Sequence, residues 1–260
     1  MLDIKNIANK ILGLIKHPTT EYKKIVPFMT FIFRRIKTNV NLIKRYRNKK
    51  EDAFRQKECG RLVLSYKKYD KIKLHFGCGP RVLKGWINID LSFTPFEEYL
   101  KYYTDEHYPK SIRGDKNDFY AINILSTGLP LPDNSVDLIF HEDFLEHLDQ
   151  KEQIIFLAET FRVLKPGSVH RINTPNLIIS MRGHSDFKKG NSGVYVYEWN
   201  KYGHKNLLTP TYLSELSQII GYSKLLFNSR NTSISKEIPK EYRPGNDRPE
   251  EGNIFADLIK

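Results

Sequence analysis

The chain has 260 residues, 40% of them hydrophobic and with 15 Phe and 15 Tyr, which suits one domain with a real core plus an appendage or two small domains. Two cysteines, Cys59 and Cys78, exclude a disulfide framework and point to a reducing, cytoplasmic compartment. The net charge of +12 is uneven: residues 1–73 hold 20 Lys+Arg against 6 Asp+Glu, a balance of +14, while residues 74–260 hold 22 against 24, a balance of −2, so the C-terminal body is not a polyanion binder by charge.

The start, MLDIKNIANKILGLIKH, is interrupted by Lys and Asn and lacks a small-residue cleavage site, so it is a poor signal peptide. The longest apolar run, residues 25–33, contains a proline and is far short of the ~20 residues that span a bilayer. Leu2, Ile4, Ile7, Ile11, Leu12, Leu14 and Ile15 predict an amphipathic helix closed by Pro18. A second helical stretch over 28–57 places Phe33, Ile36, Val40, Ile43 and Tyr46 among lysines and arginines. Three readings stand: a solvated basic face on a helix packed against its own protein, a helix lying on an anionic membrane surface, or a nucleic-acid contact, for which no binding module is present. The second would place a cytoplasmic chain peripherally at the inner face of the membrane through residues 1–57.

From residue 71 strands and helices alternate. Strands are expected at 71–76, 86–90, 118–124, 135–140, 168–176, 224–229 and 253–260. Helices are expected at 95–103, at 149–164, with Ile154, Ile155, Leu157, Ala158, Phe161 and Leu164 on one face, and at 209–222, with Thr209 as N-cap, Pro210 in the first turn and Gly221 at the end. The result is an α/β fold: a Rossmann-like, seven-stranded, mostly parallel sheet with helices on both faces over 71–260, preceded by a basic helical extension over 1–70.

HFGCGP (75–80) is a glycine turn at the carboxyl end of the first strand, where ligands bind in open α/β sheets. Gly77 and Gly79 permit positive φ and close backbone approach. A dinucleotide fingerprint needs a third glycine at position 82, which is Val82, and the Gly-Lys-Ser/Thr of a P-loop is absent. Asp90 ends the second strand, where a carboxylate can accept from both ribose hydroxyls. A nucleoside with a small charged tail fits, and S-adenosylmethionine is one. Only six residues separate Gly79 from Trp86, which predicts that the first helix shrinks to a turn or two and that the N-terminal helices cover that side.

The strings LHFGCGP, GWINIDL, LPLPDNSVDLIFHEDFLEHL and ETFRVLKPGSVHRINTPN resemble the class I S-adenosylmethionine-dependent methyltransferases. Within them, the chain is similar to small predicted methyltransferases found with bacterial surface-polysaccharide genes. The resemblance implies that Phe76, Gly77, Cys78 and Gly79 wrap the methionine part of the cofactor and that Asp90 and Leu91 hold the ribose. Ile122 and Asn123 stand where the wider superfamily often has an adenine-contacting Asp, and His141 lies where cofactor meets substrate.

If the acceptor is a sugar hydroxyl, a general base helps. His141 and Glu142, at the exit of the fourth strand, are candidates, the alternative being that they cap the next helix; His204 is a second candidate base. Asp143 and His147 are four apart, but their string is neither H-E-x-x-H nor H-x-x-E-H, and no metal is expected; Glu146 and His147 read as orienting the exit loop. The long segment 176–208 carries Tyr195, Tyr197, Trp199, Tyr202 and His204, which suit an aromatic acceptor pocket or a local core. The expected activity is O-methylation of a surface glycan or its precursor. The rivals are RNA methylation, with the basic segment as electrostatic footprint, and a non-catalytic module docking a glycan-assembly complex at the membrane.

Overall fold

The computed structural model describes residues 52–95, 105, 108–241 and 249–260. The helices expected at 2–15 and 95–103 lie outside the described residues, almost wholly in the second case, as does the basic stretch up to residue 51. Seven strands form one sheet: β1 (Lys73–Phe76), β2 (Ile87–Asp90), β3 (Phe119–Ala121), β4 (Val136–Glu142), β5 (Leu164–Pro175), β6 (Lys224–Asn228) and β7 (Asn253–Ile259). Their order is β3-β2-β1-β4-β5-β7-β6. β1 to β5 pair in parallel, and β7 runs antiparallel to both β5 and β6. The direction of strand order reverses between β1 and β4, so the crevice at their carboxyl ends is the natural ligand position.

On one face of the sheet, Leu74, Ile89 and Ile139 pack with Leu62 of helix α1 (52–65), Phe156 and Leu157, and Leu213 and Leu216. The short α2 (Ile124–Thr127) precedes β4, and α3 (Gln150–Val163) supplies Phe156. The α3 start is a capping box: the Asp149 side chain accepts from the Glu152 N–H at 2.8 Å, and the Glu152 carboxylate accepts from the Asp149 N–H at 2.8 Å. A later helix, Pro210–Ile220, has Thr209 as N-cap and Gly221 at φ 114° as C-cap, the two ends its sequence predicts. On the opposite face Leu83, Trp86, Tyr108, Leu138, Phe140 and Val169 form a second cluster.

Three elements differ from expectation for local reasons. β3 stops at Ala121 because Asn123 caps α2, its side chain accepting from the Leu125 N–H at 3.1 Å. β5 begins at Leu164, directly after α3, and is irregular where it first meets β4. Between β1 and β2 no helix remains: residues 77–86 are turns. The fully buried Asn88 takes over the hydrogen bonding there. Its Oδ1 accepts from Leu83 N–H at 2.8 Å, and its amide donates to the Leu83, Trp86 and Asp118 carbonyls at 2.8, 3.1 and 3.1 Å.

Residues 55–70, ahead of the first strand, pack onto the sheet. Ser65 Oγ lies 2.6 Å from Tyr120 Oη, and the Arg61 guanidinium stacks 4.0 Å over the Tyr120 ring. β3 is an outermost strand. Its Phe119 carbonyl accepts from Arg61, and its Ala121 N–H donates to Glu58 at 3.3 Å.

Candidate active site

Where β1 ends, the chain turns through Gly77 (φ 58°) and Gly79 (φ 49°), conformations that side-chain-bearing residues rarely adopt. A Cβ on Gly77 would sit 2.6 Å from the Phe144 ring, whereas one on Gly79 would meet nothing within 4 Å. Gly77 is thus a packing glycine beneath Phe144, and Gly79 leaves open space above the turn. Asp90 at the end of β2 closes the turn: its carboxylate accepts from the Gly79 N–H at 2.9 Å and from the Leu91 N–H at 2.6 Å. A carboxylate has about four lone-pair sites, so each oxygen retains capacity for a hydroxyl.

Gly77, Asp90, Leu91 and Phe144 border a cavity of about 390 Å³, within the range of small-molecule sites. Phe76, Ile122 and Leu125 supply apolar wall, and Asp90, Asn123 and Asp143 supply polar groups. The far rim is His147, with Glu152 and Lys205 joined in an ion pair at 3.0 Å. A glycine-lined turn, a strand-end carboxylate with spare acceptor capacity and an apolar slot beside them fit a nucleoside bearing a small polar tail.

Residues 74–172 match a family model described as "Methyltransferase domain". The match runs from β1 into β5 and covers less than half of the chain, and over it the chain is similar to methyltransferase domains. A curated relative from Mycolicibacterium smegmatis, named "Probable S-adenosylmethionine-dependent methyltransferase", is 50% identical over 50 residues, which are 19% of this chain and 19% of that protein. The matched stretch therefore spans about a fifth of the curated relative. Among solved structures the chain is similar to a SAM dependent methyltransferase from Archaeoglobus fulgidus (16% identity, TM-score 0.45, covering 79% of this chain and 94% of that one). It is also similar to a "possible histamine N-methyltransferase" from Thermotoga maritima (16% identity, TM-score 0.44, 83% and 97%).

Within the matched stretch, Phe76, Gly77, Asp90, Leu91, Ile122 and Asn123 of the expected cofactor set line the cavity. Cys78 and Gly79 do not. Gly79 acts through its N–H on Asp90, while Cys78 is buried with Val82, Phe119 and Ala121, and burial with the nearby Asp90 carboxylate pushes its thiol well above the usual value.

The three expected bases also lie off the cavity wall. β4 runs to Glu142 rather than stopping at residue 140, so strand alternation, not a loop, sets where His141 and Glu142 point. His141 is fully buried against Phe144, Phe156 and His170 at ring separations of 5.7, 5.3 and 5.1 Å. Neither of its ring nitrogens has a hydrogen-bond partner among the described residues. Burial, with His170 and His75 nearby, holds its pKa well below the ordinary imidazole value. Glu142 faces the other side of the sheet, paired with Arg81 at 3.0 Å and accepting from Asn173 at 3.0 Å. His204 is buried behind the rim, its ring stacked on Tyr202 and edge-on to His147 at 4.9 Å.

Among the cavity residues the sequence left unassigned are Leu125, Phe144 and the rim group Glu152 and Lys205. The sequence argues against Asp143 and His147 as a metal pair and reads His147, with Glu146, as orienting the exit loop; Asp143 and His147 both line the cavity. The exit loop holds them because the Glu146 carbonyl accepts from Lys205 N–H at 2.7 Å and Asn206 N–H at 3.2 Å, while Gln153 donates to the Leu145 and Asn206 carbonyls, both at 2.9 Å. Burial and the neighbouring His204 lower the His147 pKa, with Asp143 and the Gly203 backbone opposing.

The segment 176–208 is not one long loop. It folds as α4 (Leu177–His184), a 3-10 stretch Phe187–Gly193 and α5 (Tyr197–Asn200). Of the expected aromatic set, Tyr195 and Tyr197 gather around His184 at a separate hollow, Tyr202 stacks with His204 beside the rim, and Trp199, in α5, lines neither cavity.

Proposed function

We infer that the chain transfers a methyl group from S-adenosylmethionine to an oxygen of a surface glycan or glycan precursor. The observation that carries the methyl-transfer part is the cradle of Gly77, Gly79 and Asp90 at the strand-order switch, bordering a cavity of fitting size. When bound, S-adenosylmethionine supplies an electrophilic methyl carbon on a sulfonium, taken by displacement with the electron pair returning to sulfur.

The chain's own work is to align and to dry the site. Asp90 accepts from ribose hydroxyls. Ile122 and Leu125 flank the base. Asn123 spends its carbonyl on capping α2 and keeps its amide protons for the adenine ring. Phe144 seals the turn at Gly77 against water. The acceptor class is supported by the resemblance to polysaccharide-associated methyltransferases and by the exposed rings of Tyr202 and His147 at and beside the rim, whose faces and polar edges suit a sugar.

The test is calorimetric titration of S-adenosylmethionine into wild type and Asp90→Ala, followed by a panel of nucleotide sugars and glycans. Wild type is expected to bind and the variant to lose at least tenfold in affinity. No binding by wild type would sink the reading. No methylation of any carbohydrate in the panel, with cofactor bound, would remove the acceptor alone. Residues 1–57 serve location at an anionic membrane surface in this reading, so cosedimentation with anionic vesicles is expected to fall with their deletion while turnover persists. Among the described residues no helix is long and apolar enough to cross a membrane.

A further inference from the structure

Beside the cofactor cavity lies a group the methyl-transfer reading does not use. One carboxylate oxygen of Glu146 and one ring nitrogen each of His147 and His204 lie within 4.8 Å of one another. We propose that these three side chains hold a divalent transition-metal ion of the zinc class, with an open coordination position toward the cavity that takes an oxygen of the acceptor.

Four features of the cluster argue for this. The first is the donor set. Two imidazoles and one carboxylate suit zinc and its neighbours rather than magnesium or calcium, which prefer oxygen alone. Three protein ligands also leave a fourth tetrahedral position open.

The second is spacing. Glu146 Oε1 and His204 Nε2 are 3.8 Å apart. Ligands at ~2.0 Å around a tetrahedral ion sit about 3.3 Å apart, so small side-chain rotations close the site.

The third is support behind the ligands. The other nitrogen of His204, Nδ1, lies 2.8 Å from Glu198 Oε2 in an ion-pair contact without hydrogen-bond alignment, which places a carboxylate behind the ring where a small rotation would let it orient the ligand. The other oxygen of Glu146, Oε2, accepts from the Thr174 hydroxyl at 3.0 Å. Glu146, Glu198 and Thr174 are almost wholly buried. Glu146 therefore has its second oxygen bonded to the scaffold, and His204 has a carboxylate in contact with its second nitrogen.

The fourth is place. Glu146 and His204 are buried and His147 is exposed, and His147 is also cavity wall. The open position thus falls between scaffold and cofactor cavity, where an acceptor oxygen must arrive. The role assigned to the ion rests on the methyl-transfer reading. Its binding does not.

The test uses the full chain, stripped with EDTA and titrated with Zn2+ against a chromophoric chelator, with a Co2+ titration read by visible absorption. Wild type is expected to take up one equivalent of Zn2+ and to show the d–d bands of a four-coordinate Co2+ site. His147→Ala, at the exposed rim, is expected to weaken Zn2+ at least tenfold with an unchanged circular dichroism spectrum. Glu146→Gln keeps the shape of the buried ligand and is expected to do the same. No stoichiometric uptake by wild type, or uptake that neither variant changes, overturns the proposal. A wild type that binds Zn2+ but not S-adenosylmethionine would retain the metal site and reject the methyltransferase reading.

Discussion

Asn88 explains at the scale of one side chain how β2 can follow so closely upon β1 without a helix between them. A buried amide normally strains to find partners. Here it joins Leu83, Trp86 and Asp118 through both ends and also meets His75 Nδ1 at 3.0 Å. Truncating it leaves several buried backbone groups unpaired, each worth about 1–3 kcal/mol. Asn88→Ala is expected to cost roughly 2–4 kcal/mol in urea unfolding. Gly77 gives a second residue-level prediction. Alanine there meets both a left-handed φ and the Phe144 ring, so Gly77→Ala is expected to lose about 1–3 kcal/mol of stability. It is also expected to weaken S-adenosylmethionine at least tenfold by calorimetry, because Phe144 must move toward the cavity. An unchanged affinity would show that Phe144 has room to yield.

At the scale of the element, β4 decides what was legible. The alternating strands, the α3 and Pro210–Ile220 helices and the Gly77–Asp90 cradle follow from periodicity, caps and local motif, and each depends on neighbours in sequence. The bases depended on where one strand ends. With β4 stopping at residue 140, His141 reads as a loop group; with β4 running to Glu142, it shares a face with Ile139 and meets α3. Asp143 (φ 51°) is the first residue to leave the sheet. Lys205 joins the rim through its N–H bond to the Glu146 carbonyl and its ion pair with Glu152, and His204 through its 3.8 Å approach to the Glu146 carboxylate. These partners are more than fifty positions away, and no local pattern announces such pairings. His141→Leu follows from this placement. The buried imidazole has no hydrogen-bond partner among the described residues, so an apolar replacement of similar bulk is expected to change stability by less than about 1.5 kcal/mol and to leave cofactor affinity within about threefold by calorimetry. A large loss of affinity would give His141 the direct role its sequence position suggested.

For the whole molecule, the buried histidines set an acid limit. His75 and His170 are held at a pKa of about 3, and His141 is also strongly lowered, chiefly by burial in all three. Above the ordinary value near 6.5 all are neutral in both states and contribute nothing to pH dependence. Below it the unfolded chain binds protons that the fold refuses, so stability falls as pH falls. Each histidine adds ~1.4 kcal/mol per pH unit, about 4 kcal/mol per unit for three. Urea midpoints between pH 7 and 5 are expected to drop accordingly, and His141→Leu to remove about a third of the slope.

The side chains of α1 that meet β3 bear on where this molecule can be cut. Arg61 and Glu58 occupy a carbonyl and an N–H of a strand at the sheet's margin, groups that would otherwise recruit another extended chain. A fragment starting at Lys71 keeps every motif and every cavity wall, yet loses both guards along with Leu62. Its failing would be in company rather than in chemistry: sound as a single copy, it would gather others along the bared strand as concentration rises. Sedimentation of the 71–260 fragment is expected to show association that rises with concentration, and a fragment that stays a single species would show that the two bonds to β3 guard nothing.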